Sequence, residues 1–170
     1  GACGSQKRLN SSPIRAVCRF LYRTADRVHA VSSGVADSVC QQLKLPRSRI
    51  DVVYNPISLE DISRLAAAPA ALLNGDQDDR PLISAAGRLS TPKDFATLIR
   101  AFAKVRLECD LRLVIMGEGE KRPELEALVA EHSLEDDVLL PGFISNPFAI
   151  MRRSHLFVLS SRWEGLPNVL

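Results

Sequence analysis

Arg88 and Lys93 stand five residues apart in GRLSTPKDF, residues 87–95, directly after the apolar run Leu82, Ile83, Ser84, Ala85 and Ala86. A glycine at the exit of a buried strand, followed by two cations at the mouth of a helix, is suited to receiving an anion. Thr91, Pro92 and Asp94 have the spacing of a helix start, with proline at the first position and an acidic residue at the third. That predicts Lys93 in the first helical turn. Phe95, Leu98, Ile99, Phe102 and Val105 then take the buried face and leave Lys93 directed at the strand end. A cation beside a helix amino terminus is unfavourable by about 0.3–1 kcal/mol, which a bound anion would offset. The plainer reading is that both are surface charges paired with Asp94 or with neighbouring helices.

Three further strand-to-helix turns invite inspection. MGEGEKRPEL, residues 116–125, uses Gly117 and Gly119 for a tight exit and close backbone approach. The GxGxxG fingerprint needs a third glycine where Arg122 stands, so a dinucleotide oxidoreductase is excluded. PGFISNPF, residues 141–148, offers Asn146 before Pro147 as a helix cap. SSRWEGLPNVL, residues 160–170, carries one carboxylate, Glu164, ahead of Gly165, Leu166, Pro167 and Asn168, which read as the start of a helix. A free helix amino terminus there makes an anion site; alternatively Glu164 merely caps that helix.

These turns need elements to position them. Ile14, Val17, Cys18, Leu21 and Tyr22 repeat at helical spacing ahead of a short strand at 28–31. Ser32 or Ser33 caps a helix through Val35, Ala36, Val39, Cys40 and Leu43, and a strand follows at 50–54. Residues 55–81 mix turn formers with small residues without a sustained period and read as a linker, taken as 56–81. Beyond it the expected order is strand 82–86, helix 92–107, strand 111–116, helix 122–132, strand 137–140, helix 146–153 and strand 155–160. Apolar strands alternating with amphipathic helices imply a doubly wound parallel α/β sheet, whose ligands sit beyond the carboxyl ends of the strands.

Composition narrows the class. A net charge of +2 is too small for a nucleic-acid binder, yet residues 1–55 hold nine Lys or Arg against three Asp or Glu. That imbalance fits two structural units with different partners, or simply solvated helix faces. No apolar stretch approaches the roughly 20 residues that cross a bilayer. Cys3, Cys18, Cys40 and Cys109 lack zinc-site spacing and disulfide-scaffold density, which suggests reduced thiols in the cytoplasm. The polar start GACGSQKRLNSSP has no apolar core of a signal peptide, so none is expected.

Taken together, ADRVHAVSSG (25–34), NPI (55–57), AAGRLSTPKDFATLIRAF (85–102), LVIMGEG (113–119), LPGF (140–143) and SSRWEGLPNVL (160–170) resemble a retaining family 4 glycosyltransferase of the GT-B fold over roughly residues 14–170. The resemblance implies a Rossmann-like donor-binding domain at 82–170 and the end of an acceptor domain at 1–55. It implies that Arg88 and Lys93 grip the diphosphate of a nucleotide sugar and that Glu164 meets the sugar hydroxyls, these three being the catalytic set. Gly87, Gly117, Phe143, Ile144, Gly165, Leu166, Pro167 and Asn168 are the implied substrate contacts, with the nucleobase near Phe143 and Ile144. No metal and no other cofactor is expected. The implied partners are a nucleoside diphosphate sugar and a carbohydrate or lipid-linked acceptor, with peripheral contact at the inner membrane surface. The family's second motif glutamate would fall two residues beyond Leu170, so the sequence reads as a fragment, inactive alone. A sugar-nucleotide epimerase of this fold and a non-catalytic nucleotide-binding module are the alternatives; the GRL…K and EGLP blocks together favour transfer.

Overall fold

A computed structural model of the chain describes residues 12–70 and 78–164. Its contacts divide it in two: a first unit of the described residues up to Ile57 with Trp163 and Glu164, and a second, Ser58–Arg162.

In the first unit, α1 (Ser12–Thr24) leads to β1 (Val28–Ala30), α2 (Ser33–Leu43), a 3-10 turn at Arg47–Arg49 and β2 (Ile50–Val52). Ser32 caps α2 by accepting a hydrogen bond from the Val35 N–H, and Lys44 ends the helix in the left-handed conformation. β1 and β2 pair in parallel, Val28 against Ile50 and Ala30 against Val52. Their core is small: Val28, Ala30, Ala36 and Ile50 are buried, with Val35, Val39 and Cys40 beside them. On α1, Val17, Phe20 and Leu21 are exposed.

The second unit opens with α3 (Leu59–Ala67), inside the stretch that reads as a linker. Ser58 caps it by accepting from the Asp61 N–H, and Asp61 pairs with Arg64 along its surface. Its partly buried positions Ile62, Leu65 and Ala66 fall at spacings of three and four, too few turns to show as a sustained period. Then follow β3 (Leu82–Ala86), a 3-10 turn (Thr91–Lys93), α4 (Phe95–Arg106), β4 (Arg112–Met116), α5 (Arg122–Glu131), β5 (Val138–Gly142), α6 (Pro147–Arg153) and β6 (Leu156–Phe157). The strands form one parallel sheet in the order β5-β4-β3-β6. β6 is shorter than the expected 155–160, although the Val158 N–H still donates to the Ser84 carbonyl at 2.8 Å.

Side chains of β3 and β4 alternate between two cores, as strand geometry demands. Ala85, Leu113 and Ile115 join Leu98, Ile99 and Phe102 of α4 and Leu125, Leu128 and Val129 of α5. Leu82, Ala86, Val114 and Met116 point the other way, onto Ala149 and Ile150 of α6. Both faces of the sheet are therefore covered, which makes it an α/β sheet of the doubly wound kind. From β3 the chain runs outward through β4 to β5, then returns to β3's other edge as β6. The carboxyl ends of β3 and β6 are thus the topological switch point, where such sheets form their ligand crevice.

Candidate donor-binding site

The exits of β3, β4 and β5 are laced together by main-chain bonds. The Gly87 N–H donates to the Met116 carbonyl (2.9 Å), Gly117 to Gly142 (2.8 Å), Leu89 to Glu118 (2.9 Å) and Lys121 to Leu89 (3.0 Å). Backbones that run this close leave no room for side chains. A β-carbon on Gly117 would stand 1.9 Å from the Gly87 oxygen, and one on Gly119 would stand 2.3 Å from the Leu89 oxygen. Leu89, fully buried, plugs the core between α4 and α5 and anchors the loop. In GRL, then, the glycine offers the carbonyl that Gly117 packs against, the leucine fixes the loop, and Arg88 between them is left exposed. Among the described residues no ion pair engages its guanidinium.

Lys93 is not in the first turn of the α-helix. Thr91–Lys93 is a 3-10 turn, and Asp94, at φ 49° and ψ 42°, reverses the chain into α4, which starts at Phe95. The expected capping box fails because the left-handed residue displaces the helix start. Asp94 instead accepts hydrogen bonds from the Thr97 hydroxyl (2.9 Å) and from Nε of Arg162 (2.7 Å). The reversal turns Lys93 back over the end of β3. Its Cε and Nζ lie 3.0 and 3.4 Å from where a β-carbon on Gly87 would be. Gly87, at φ 153°, thus provides a bed for the lysine stem as well as a turn.

The segment after β6 completes the switch point. The Ser160 hydroxyl donates to the Lys93 carbonyl (2.8 Å), and the Arg162 N–H donates to the Pro92 carbonyl (2.9 Å). The Arg162 guanidinium, the largest influence on Asp94, holds that carboxyl below the usual carboxylate range against the opposing effect of burial. These contacts went unforeseen, since nothing in spacing links Arg162 to Asp94 across 68 residues. Arg122, standing where a third glycine would be, chelates Glu118 through Nε (2.9 Å) and Nη2 (2.8 Å), bonds Glu126 (2.8 Å) and reaches the Leu140 carbonyl. It knits β5 to α5 and lowers the Glu118 carboxyl below its ordinary range.

Phe143 is 78% exposed past the end of β5, while Ile144 packs on the α6 side of the sheet. Asn146 occupies the cap position of α6 without capping it; its amide donates to the Leu65 carbonyl of α3 at 2.8 Å. Glu164 is exposed and belongs to the first unit, whereas Gly165, Leu166, Pro167 and Asn168 lie outside the described residues. Among the described residues, no three His, Cys, Asp or Glu side chains gather as a metal site, and no helix is long and apolar enough to cross a membrane.

The sequence profile of the family described as glycosyl transferases group 1 matches residues 74–170, more than half of the chain. The chain belongs to this family. A second profile, glycosyltransferase family 4, matches residues 1–61. Among curated relatives, the N-acetylgalactosamine-N,N'-diacetylbacillosaminyl-diphospho-undecaprenol 4-alpha-N-acetylgalactosaminyltransferase of Campylobacter jejuni is 38% identical over 97% of this chain and 43% of its own length. The alpha-D-kanosaminyltransferase of Streptomyces kanamyceticus is 38% identical over 89% of this chain and 41% of its own. The chain therefore spans less than half the length of these relatives. Both carry transferase names, which favours neither the epimerase nor the non-catalytic alternative. Among solved structures, Anabaena Alr3699/HepE in complex with UDP-glucose matches with a TM-score of 0.74 at 23% identity, over 96% of this chain and 46% of that one. That likeness is one of fold.

Proposed function

We propose that the chain is the donor-binding part of a glycosyltransferase that moves a sugar from a nucleoside diphosphate sugar to an acceptor with retention of anomeric configuration. The observation that carries this reading is the bend at Asp94, which folds Lys93 over Gly87 at the switch point, with Arg88 exposed on the same loop. As the bond between the anomeric carbon and phosphate breaks, negative charge grows on the departing diphosphate. Two cations and nearby main-chain N–H groups lower the energy of that charge more than the energy of the ground state. Glu164 takes the sugar hydroxyls and main chain near Phe143 and Ile144 takes the base. No metal is required for this chemistry, so a chelator leaves turnover unchanged.

In the full-length protein, Arg88→Ala or Lys93→Ala removes a charge-assisted contact of roughly 1.5–3 kcal/mol and weakens nucleoside diphosphate binding by about tenfold or more. Calorimetric titration with uridine, guanosine and adenosine diphosphates reads the effect and identifies the base. Glu164→Ala impairs transfer more than it impairs binding of the free nucleotide. Unchanged affinity in both cation variants refutes the assignment.

The acceptor is read as lipid-linked. In support, the Campylobacter relative is named for a diphospho-undecaprenol substrate, and residues 1–55 carry nine basic against three acidic side chains. Exposed Phe20 and Leu21 lie on α1 with Arg19 and Arg23, which suits an anionic lipid surface. Co-sedimentation should be stronger with vesicles containing anionic lipid than with neutral ones, and equal binding to both removes this part of the reading.

A further inference from the structure

The turn that carries Lys93 is held by three consecutive bonds from one short segment. Ser160, through its hydroxyl, and Arg162, through its N–H and its guanidinium, bond in turn to Lys93, Pro92 and Asp94. Asp94 is the weak place in the turn, because a non-glycine residue at φ 49° adopts that conformation only at a cost in free energy. Its carboxylate is only 13% exposed and meets the Arg162 guanidinium at 2.7 and 3.3 Å, a two-pronged contact. The Thr97 hydroxyl takes up the same carboxylate from the α4 side. With Arg162 removed, Asp94 keeps one partner from its own helix and loses the one that ties it to the segment after β6.

We infer that Arg162 is a positioning residue for donor binding: by pairing with Asp94 it fixes the left-handed bend that turns Lys93 over Gly87. The inference rests on the diphosphate reading of Lys93. Arg162 bonds the Asp94 carboxylate and the Pro92 carbonyl, so it acts through the turn. An ordinary surface ion pair would affect stability slightly and ligand affinity not at all. A positioning pair does the reverse, because the energy of a cation on a diphosphate depends steeply on where that cation stands.

The test uses the full-length protein and whichever nucleoside diphosphate it binds, with the parent nucleoside as a probe that lacks phosphate. Arg162→Ala weakens the diphosphate about three- to tenfold and leaves the nucleoside unchanged. Arg162→Lys keeps the charge but not the fork and restores part of the loss. Asp94→Asn removes the charge while keeping a residue that tolerates the left-handed bend. It weakens the diphosphate similarly, and adding it to Arg162→Ala costs nothing more. Lys93→Ala separates the two levels of the argument. If Lys93→Ala weakens the diphosphate and Arg162→Ala does not, the positioning role is overturned while the diphosphate reading stands. Equal loss of diphosphate and nucleoside in Arg162→Ala also overturns it, since the damage is then general. Unaltered diphosphate affinity in Lys93→Ala removes the reading on which the inference is built.

Discussion

A β-carbon on Gly117 would stand 1.9 Å from the Gly87 oxygen, on a backbone already at φ 145°. Nothing flexible is there to yield, since the obstacle is main chain. Gly117→Ala should therefore destabilise the second unit by more than about 2 kcal/mol and loosen the loop that bears Arg88. A denaturant midpoint within error of wild type would show that the two loops can part freely. Ser84 is the opposite case, fully buried in the middle of β3 with its hydroxyl unpartnered. Burying a hydroxyl without a partner costs free energy, and alanine fits the space it leaves. Ser84→Ala should raise the stability read from the denaturant midpoint by up to about 1 kcal/mol, and a loss of stability would mean the hydroxyl is satisfied after all.

At the scale of elements, α3 makes the difference between a loop and a wall. It packs along α6, and the Asn146 side chain fastens its last turn by bonding the Leu65 carbonyl. The same residue begins α6 directly after Phe143 and Ile144, so α3 braces the turn proposed to meet the base. Asn146→Ala leaves the Leu65 carbonyl with only the Ala68 N–H, at 3.2 Å, and should cost about 1 kcal/mol. Ser58→Ala, which removes the cap at the far end of α3, should cost about 1 kcal/mol. If both variants unfold like the wild type, α3 is a passenger on the second unit. Neither change touches Lys93, so a loss of base discrimination without loss of diphosphate affinity is the outcome that links α3 to the nucleobase.

Over the whole molecule, the two units should differ in stability. Among the described residues, a two-stranded sheet over a buried cluster of four residues is marginal, whereas the four-stranded sheet is covered on both faces. Amide exchange should be slowest in β3 and β4 and at least tenfold faster in β1 and β2; equal protection would mean one cooperative body. The second unit also closes on a charge cluster at the amino ends of its strands, where Arg80 binds Asp78, Asp110 and Asp137. Arg80 holds the Asp78 carboxyl down to about 2, from an ordinary 3.8. A depressed carboxyl stabilises fully above its unfolded value and loses that contribution as pH falls through its folded one. Stability of the second unit should thus decline between about pH 4 and 2, and Asp78→Asn should flatten that decline. A slope unchanged by the substitution would assign the acid sensitivity to other carboxylates.

The alternation of apolar strands with amphipathic helices, legible from Leu82 onward, settled the doubly wound sheet, because burial on both faces leaves a continuous apolar run in each strand. Glycines 117 and 119 were equally legible, as a tight strand exit that must admit another backbone. The bend at Asp94 was not: Thr-Pro-Lys-Asp reads locally as a helix start, whereas in the fold, where Arg162 and Ser160 bond it from the segment after β6, it is a 3-10 turn and a reversal. Nor was α3 legible, since its helix is nine residues long and its stability comes from α6 and Asn146. Residue types and period report which surfaces must be buried. Which of two locally acceptable conformations a short segment takes is decided by partners far along the chain, and those exist only once the sheet has brought β3 beside β6.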